Sequence, residues 1–150
     1  MSNSVPTAIG FILDGNRRWA RENGLPQLEG HRRGLEKVKE ILLWSRSRGV
    51  KQVTVYAFST ENWGRSEEEV SYLLDLFAQL CDVWAKDMKN EKVRIRFIGQ
   101  RERFSPLLQE KMKRTEEETA QGTEGVLAIA LSYGGRSEIL DAVQTLVLKG

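Results

Sequence analysis

Four short apolar runs, each followed by a longer stretch of helical periodicity, constrain this chain more than any other feature. "TAIGFIL" (7–13), "QVTVYAF" (52–58), "VRIRFIG" (93–99) and "GVLAIAL" (125–131) have strand length and are rich in branched and aromatic residues. Such alternation marks a parallel α/β sheet, because parallel strands need crossovers long enough to hold a helix. The pattern predicts one α/β domain over 1–150, with a mostly parallel central sheet flanked by helices. The first, second and fourth runs are almost continuously apolar, as central strands are. The third alternates Arg94 and Arg96 with Val93, Ile95 and Phe97, which predicts an edge strand with one wet face.

Helices are expected between the strands. Leu35, Val38, Ile41 and Leu42 form an apolar stripe that Gly49 ends. Ser66 and Glu69 form a capping box for a helix reaching about Lys89, Ser105 with Pro106 opens a short charged one, and a last one begins near Ser137. The helix after Ser66 has an unusually broad apolar face, running from Val70 through Leu73, Phe77 and Trp84 to Met88 and widened by Tyr72, Leu76 and Val83. Two explanations stand for it: a thick core with a dimer contact, or an apolar tunnel for a greasy ligand.

Charge and cysteine content narrow the function classes. The formal net charge is +2, too small for a strongly basic nucleic-acid binder, and no partner of that kind is expected. Residues 1–50 carry nine Lys/Arg against five Asp/Glu, a local excess of +4 that leaves −2 for the rest. Basic charge therefore gathers near the first strand. Cys81 is the sole cysteine, so no intramolecular disulfide forms, and no apolar stretch reaches bilayer-spanning length. A cytoplasmic location, free or peripheral to a membrane, is expected.

In open parallel sheets ligands sit beyond the carboxyl ends of the strands, and the polar clusters fall there. Asp14, Gly15, Asn16, Arg17 and Arg18 follow the first run; Ser59, Thr60, Glu61, Asn62, Trp63 and Arg65 the second; Ser132, Tyr133, Gly134, Gly135 and Arg136 the fourth. The mixture suits a diphosphate: glycines admit backbone amides, helix N-termini favour anions, and Arg17, Arg18 and Arg65 offer forked contacts. Magnesium takes one or two carboxylates and completes its shell from phosphate and water, so Asp14 alone suffices for a metal diphosphate. Each cluster also has a plainer reading. Asp14 caps the following helix; His31, just before two arginines in "GHRRG" (30–34), is a surface or capping histidine; Ser59 and Asn62 form a turn; Trp63 plugs the core; Gly134 and Gly135 make a tight turn; Glu67, Glu68 and Glu69 complement a helix N-terminus.

"DGNRRWA" (14–20), "GHRRG" (30–34), "VTVYAFSTENWGR" (53–65) and "SYGGRSEI" (132–139) together resemble the cis-prenyltransferases. The resemblance implies a homodimeric, magnesium-dependent enzyme that adds isopentenyl diphosphate to an allylic diphosphate such as farnesyl diphosphate. Its polyprenyl diphosphate product is destined for the membrane. By the same resemblance Asp14 and Asn62 are catalytic, with Asp14 holding the metal, while Gly15, Asn16, Arg17, Arg18, Trp19 and His31 bind the allylic diphosphate. Ser59, Asn62, Trp63 and Arg65 position the isopentenyl unit, Arg136 steadies the phosphate loops, and the broad helix lines the product tunnel. The chain departs from the family in three respects. Gln27 stands where many bacterial relatives have an arginine, Ser66 replaces a common proline, and the segment that family members carry past position 150 is expected to be missing. The alternative is a non-catalytic allylic-diphosphate-binding subunit, or a half-site that needs a partner or that segment. A general nucleotide-binding domain ranks last, for lack of GxxxxGK[ST] or GxGxxG.

Overall fold

The computed structural model describes residues 4–149; residues 1–3 and 150, the ends of the expected domain, lie outside the described residues. Four parallel strands, β1 (Ala8–Ile12), β2 (Gln52–Ser59), β3 (Val93–Ile98) and β4 (Gly125–Tyr133), form one sheet in the order β1-β2-β4-β3. The helices are α1 (Asn16–Glu22), α2 (Gln27–Ser47), α3 (Glu67–Asn90), α4 (Pro106–Thr119) and α5 (Gly135–Lys149). All four expected strands and the expected helices are present. The register aligns core side chains in rows across the sheet: Phe11 pairs with Val55, Val55 with Ile129, and Phe97 with Ile129. On that face Leu35, Val38 and Leu42 of α2 and Leu73, Phe77 and Trp84 of α3 close the core.

Two expectations about strand position divide. β3 is an edge, as its alternation predicts, and α4 protects it. Thr119 Oγ1 accepts from the Ile95 N–H at 3.0 Å and a Glu116 carboxylate oxygen from the Phe97 N–H at 2.8 Å, which satisfies donors an edge strand leaves open. β1 is not central: it forms the opposite edge, and Ile12 is 74% exposed. The apolar run misleads there because its two faces differ, with Ile9 and Phe11 packed against the core and Ala8, Gly10 and Ile12 turned outward. α5 likewise keeps Ile139, Leu140, Val143, Leu146 and Val147 exposed.

Both serine caps form, but the Ser66/Glu69 capping box is only half made, because the Glu69 carboxylate turns to His31 and Arg65. Ser66 Oγ accepts from the Glu69 N–H at the start of α3, and Ser105 Oγ from the Leu108 N–H at the start of α4. Asp14 does not cap α1. The N-cap is Gly15, in the left-handed region at φ 81°, and the Asp14 side chain accepts instead from the Gly15 N–H at 2.6 Å.

The glycines of "GHRRG" set the crossing of α1 on α2. A Cβ at Gly30 would collide with the Asn16 carbonyl oxygen, and one at Gly34 with the Asn16 side-chain amide. The Gly30 clash is with backbone and requires α1 to move, whereas the Gly34 clash displaces only the Asn16 side chain. Gly30→Ala is expected to lower unfolding free energy by about 2–3 kcal/mol, and Gly34→Ala by about 1 kcal/mol. Gly64→Ala, with no neighbour within 4 Å of the added atom, is expected to change it by less than about 0.5 kcal/mol. Urea denaturation of the three variants checks this, and equal midpoints would contradict it.

Candidate functional site

A cavity of about 160 Å³ opens at the carboxyl ends of β1 and β2. Its rim is polar, formed by Asp14, Asn16, His31, Ser59, Asn62 and Arg65; its floor is apolar, formed by Leu35, Phe58, Leu73 and Phe77. Those four floor residues are buried. Two strand ends, α2 and α3 therefore meet at one point, as the general rule for open α/β sheets requires. β2 contributes through an irregularity: its register with β4 shifts between Tyr56 and Phe58 and again before Ser59, a bulge that re-aims the strand end beside the cavity. Nothing in the sequence signals it.

Glu69 organises the rim. It is 8% exposed on the first turn of α3, and its Oε1 accepts from His31 Nε2 at 2.9 Å and from Arg65 at 2.8 Å. Its Oε2 lies 3.8 Å from an Arg17 nitrogen. One carboxylate thus joins α1, α2 and the segment before α3. Burial pushes the His31 imidazole below its ordinary 6.5; the Glu69 contact pulls the other way, and the Arg65 and Arg17 charges add to the depression. Burial by itself raises the Glu69 carboxyl, but the His31 hydrogen bond and the Arg65 and Arg17 charges outweigh it and hold it below 4.5. A carboxylate held ionised only accepts, so the neutral His31 carries its proton on Nε2 and leaves Nδ1 without one. The expectation that Glu69 merely complements a helix N-terminus misses this role. The i, i+4 spacing from Arg65 was the available signal; the contact with His31, 38 positions away, had none.

The other expected site residues separate into those at the cavity and those behind it. Asp14 is exposed at the rim with one carboxylate oxygen engaged by Gly15 and the other free. Asn62 turns its carbonyl oxygen to the Ser59 N–H at 3.1 Å, so its amide N–H groups face outward as donors. Arg17 bridges Glu69 and Gln27, whose side-chain oxygen accepts from Arg17 Nε at 3.1 Å. Gln27 therefore helps to orient Arg17. Arg18 is exposed beside Gly15, and among the described residues it makes no ion pair. Arg32 and Arg33 are tied to Glu29, whose carboxyl they pull down to about 2.

Gly15, Arg17, Arg18, Trp19, Trp63 and Arg136 do not line the cavity. Trp19 stacks under the Arg33 guanidinium, 5.6 Å from the ring centre. Trp63 is the plug its plainer reading describes: it packs edge-on against Phe58, lies under Arg103, and donates from Nε1 to Ser132 Oγ at 2.9 Å. Ser132 is fully buried with φ 50°, a left-handed conformation rare for a residue with a side chain, and Trp63 holds it there. The third polar cluster therefore buttresses the second, helped by the Tyr56 hydroxyl, which donates to the Tyr133 carbonyl at 2.9 Å. Arg136 is exposed at the start of α5. A separate notch beside it presents Glu138 and Asp141.

Among the described residues no three His, Cys, Asp or Glu side chains converge on a metal-sized site. A single free Asp14 oxygen suits a divalent ion that draws its remaining ligands from a diphosphate and water. Among the described residues no helix is long and apolar enough to cross a membrane.

These features define a parallel α/β domain with a cationic, polar-rimmed and apolar-floored cavity at its strand ends. Residues 12–150 match the family of undecaprenyl diphosphate synthases. An isoprenyl transferase of Thermotoga maritima is 43% identical over 140 residues, covering 93% of this chain and 60% of the relative. A Vibrio cholerae protein named as a farnesyl-diphosphate-specific ditrans,polycis-undecaprenyl-diphosphate synthase is 42% identical over 145 residues, covering 97% and 58%. The crystal structure of lavandulyl diphosphate synthase from Lavandula x intermedia, in complex with dimethylallyl diphosphate, superposes with a TM-score of 0.93 at 27% identity, covering 97% of this chain and 62% of that one. The chain belongs to the undecaprenyl diphosphate synthase family of cis-prenyltransferases, and it spans about three-fifths of the length of the relatives it matches.

The Glu69 network sets a pH dependence. Both His31 and Glu69 have folded-state values below their ordinary ones, so each adds stability above that value and loses it as pH falls. Wild-type melting temperature is expected to fall below about pH 6.5 and again below about pH 4.5. In Glu69→Gln the loss near 6.5 persists and the loss below 4.5 shrinks. Glu69→Ala, which strands two guanidinium groups, is expected to cost about 3 kcal/mol at neutral pH. Superimposable melting profiles for wild type and Glu69→Gln would contradict this role.

Proposed function

We propose that this protein is a prenyltransferase that condenses isopentenyl diphosphate with an allylic diphosphate, such as farnesyl diphosphate, in repeated cis additions to give a polyprenyl diphosphate. One observation carries this reading: the cavity stacks a cationic, donor-rich rim directly on an apolar floor, which fits a molecule with an anionic head and a hydrocarbon tail. The names of the Vibrio and Lavandula proteins support the substrate class. Residues 1–150 act as one cis-prenyltransferase-like domain in a homodimer, in the cytoplasm or against the membrane that receives the product. The apolar path begins at Leu35, Phe58, Leu73 and Phe77 and continues as a tunnel beside α3.

The roles follow from the atoms each residue has free. The Asn16 amide, at the N-terminus of α1, and the guanidinium groups of Arg17, Arg18 and Arg65 bind the allylic diphosphate, while the Gly15 N–H holds the Asp14 carboxylate beside it. The free Asp14 oxygen holds magnesium, which neutralises charge on the diphosphate when bound. As the allylic C–O bond breaks, its electron pair passes to the leaving diphosphate, and His31, whose Nδ1 takes a proton from water once the bound anion raises its basicity, donates a hydrogen bond to it. The isopentenyl double bond supplies the electrons of the new C–C bond, and the proton then lost goes to a base such as the released diphosphate. Asn62 offers donors rather than a base, so its part is to orient that unit together with Ser59. Trp63, Trp19 and Arg136 act as positioning residues behind these groups. The dry floor keeps water from the allylic cation.

A second reading, allylic-diphosphate binding without elongation, draws on the notch beside Arg136, where Glu138 and Asp141 give no cationic site for a second diphosphate. Incubation with farnesyl diphosphate, radiolabelled isopentenyl diphosphate and magnesium separates the two. Labelled apolar product that falls by roughly 10²–10³-fold in Asp14→Ala supports transfer. Primer binding that Asp14→Ala weakens, without incorporation, supports the binding subunit. Neither binding nor incorporation would sink both.

A further inference from the structure

The broad apolar face of α3 extends beyond the cavity floor, and two ion pairs cross its far end. Leu73, Leu76, Leu80 and Val83 follow one another at spacings of three, four and three, and Asp87 continues the row four residues later, so all five share one side of the helix. Leu73 belongs to the floor, Leu76 is buried, Leu80 half-buried and Val83 exposed. From α2, Leu35, Lys39 and Arg46 face this row at spacings of four and seven. Leu35 again belongs to the floor, while Lys39 Nζ lies 2.6 Å from an Asp87 carboxylate oxygen and Arg46 3.3 Å from one of Glu91. Between the His31–Glu69 and Lys39–Asp87 contacts α2 advances eight residues and α3 eighteen, about 12 and 27 Å of helix. Runs so unequal between two shared links splay the helices, and their backbones come close at few points, unlike those of α3 and α4. Behind Arg46 and Glu91 opens a charged hollow of about 330 Å³, lined also by Lys51 and Glu124.

A hydrocarbon entering from the cavity would run along Leu73, Leu76 and Leu80 between the two helices and then meet Lys39 and Asp87. To pass, it would have to strip water from that pair or part it and leave each charge against alkane, and both are costly. We propose that the Lys39–Asp87 pair, with Arg46–Glu91 behind it, ends the hydrocarbon path and so fixes the longest tail that the site accepts. This limit rests on the prenyl-transfer reading above and adds to it the residues that choose product length. Neither pair lines the cavity, so both act on the tail and not on the diphosphate. The plainer account, that the pairs only tie two helices together, predicts a small effect on stability and none on tail length.

Equilibrium dialysis against labelled prenyl diphosphates of two to about six isoprene units tests this limit without requiring turnover, since each buried unit adds apolar contact. Binding to the wild type should tighten about tenfold with each added unit until the tail reaches the pair, and then level off. In Lys39→Asp, which sets two carboxylates against each other, and in Lys39→Ala, levelling should come at least one unit later, and later still when Arg46→Ala is added. The longest diphosphates should then bind about tenfold more tightly than to wild type. Lys39→Asp combined with Asp87→Lys restores the pair and should restore the wild-type limit. Lys111→Ala, which breaks the ion pair of α4 with Asp82 of α3, should leave the limit where it is. Circular dichroism confirms folding of each variant, and Lys39→Ala serves if Lys39→Asp fails to fold. The same limit in the Lys39 variants as in wild type, or no limit in wild type at any tail length, would overturn the inference and leave the prenyl-transfer reading standing. Failure of every prenyl diphosphate to bind would remove that reading and the inference with it.

Discussion

A buried carboxylate shared by three cationic or protonatable groups holds the functional end of this protein together. Glu69 sits on the first turn of α3 and receives His31 from α2, Arg65 from the segment before α3 and, at longer range, Arg17 from α1. An ionised carboxylate at that depth is stable only because its partners are in place, and the partners are oriented only because it is there. His31 and Arg65 also line one cavity. Glu69 partly offsets the mutual repulsion of the two guanidinium groups gathered around it.

The rest of the fold supports that joint through close backbone approaches. Gly30 and Gly34 let α1 settle on α2, which brings Asn16 and Asp14 to the rim on the side opposite Ser59 and Asn62. The bulge in β2 turns its last residues toward the same point. Behind it, Trp63 pins the strained Ser132 and so couples the end of β4 to the loop that carries Asn62. Rigid elements thus fix first the glycine contacts, then the carboxylate, then the polar rim, a sequence of supports that leaves little freedom where the ligand head would lie.

Local pattern made most of the fold legible and long-range pairing hid the rest. Strand period, serine caps and the alternation of β3 are properties of neighbouring residues, and each gave the right element. β1 misled because an apolar run does not record which of its two faces is covered. The gathering of Asp14, Asn62 and Arg65 at the strand ends was legible, since each closely follows an apolar run, and the structure brings them to one cavity. Glu69 was not: beside Glu67 and Glu68 it reads as helix-terminal charge, and only the fold brings His31 to it. Trp63 and Arg136 illustrate the reverse, residues within a recognisable motif that stand behind the cavity rather than in it.

His31 is the sole histidine, so its ring gives a single set of imidazole resonances and reports on the joint directly. Nuclear magnetic resonance titration of that ring, without and with farnesyl diphosphate, is the most direct test. The free protein should show a pKa below 6.5 with the proton on Nε2, and bound diphosphate should raise it as Nδ1 gains a proton. A pKa at or above 6.5 in the free protein, unmoved by the diphosphate, would contradict a site built on the Glu69–His31 contact.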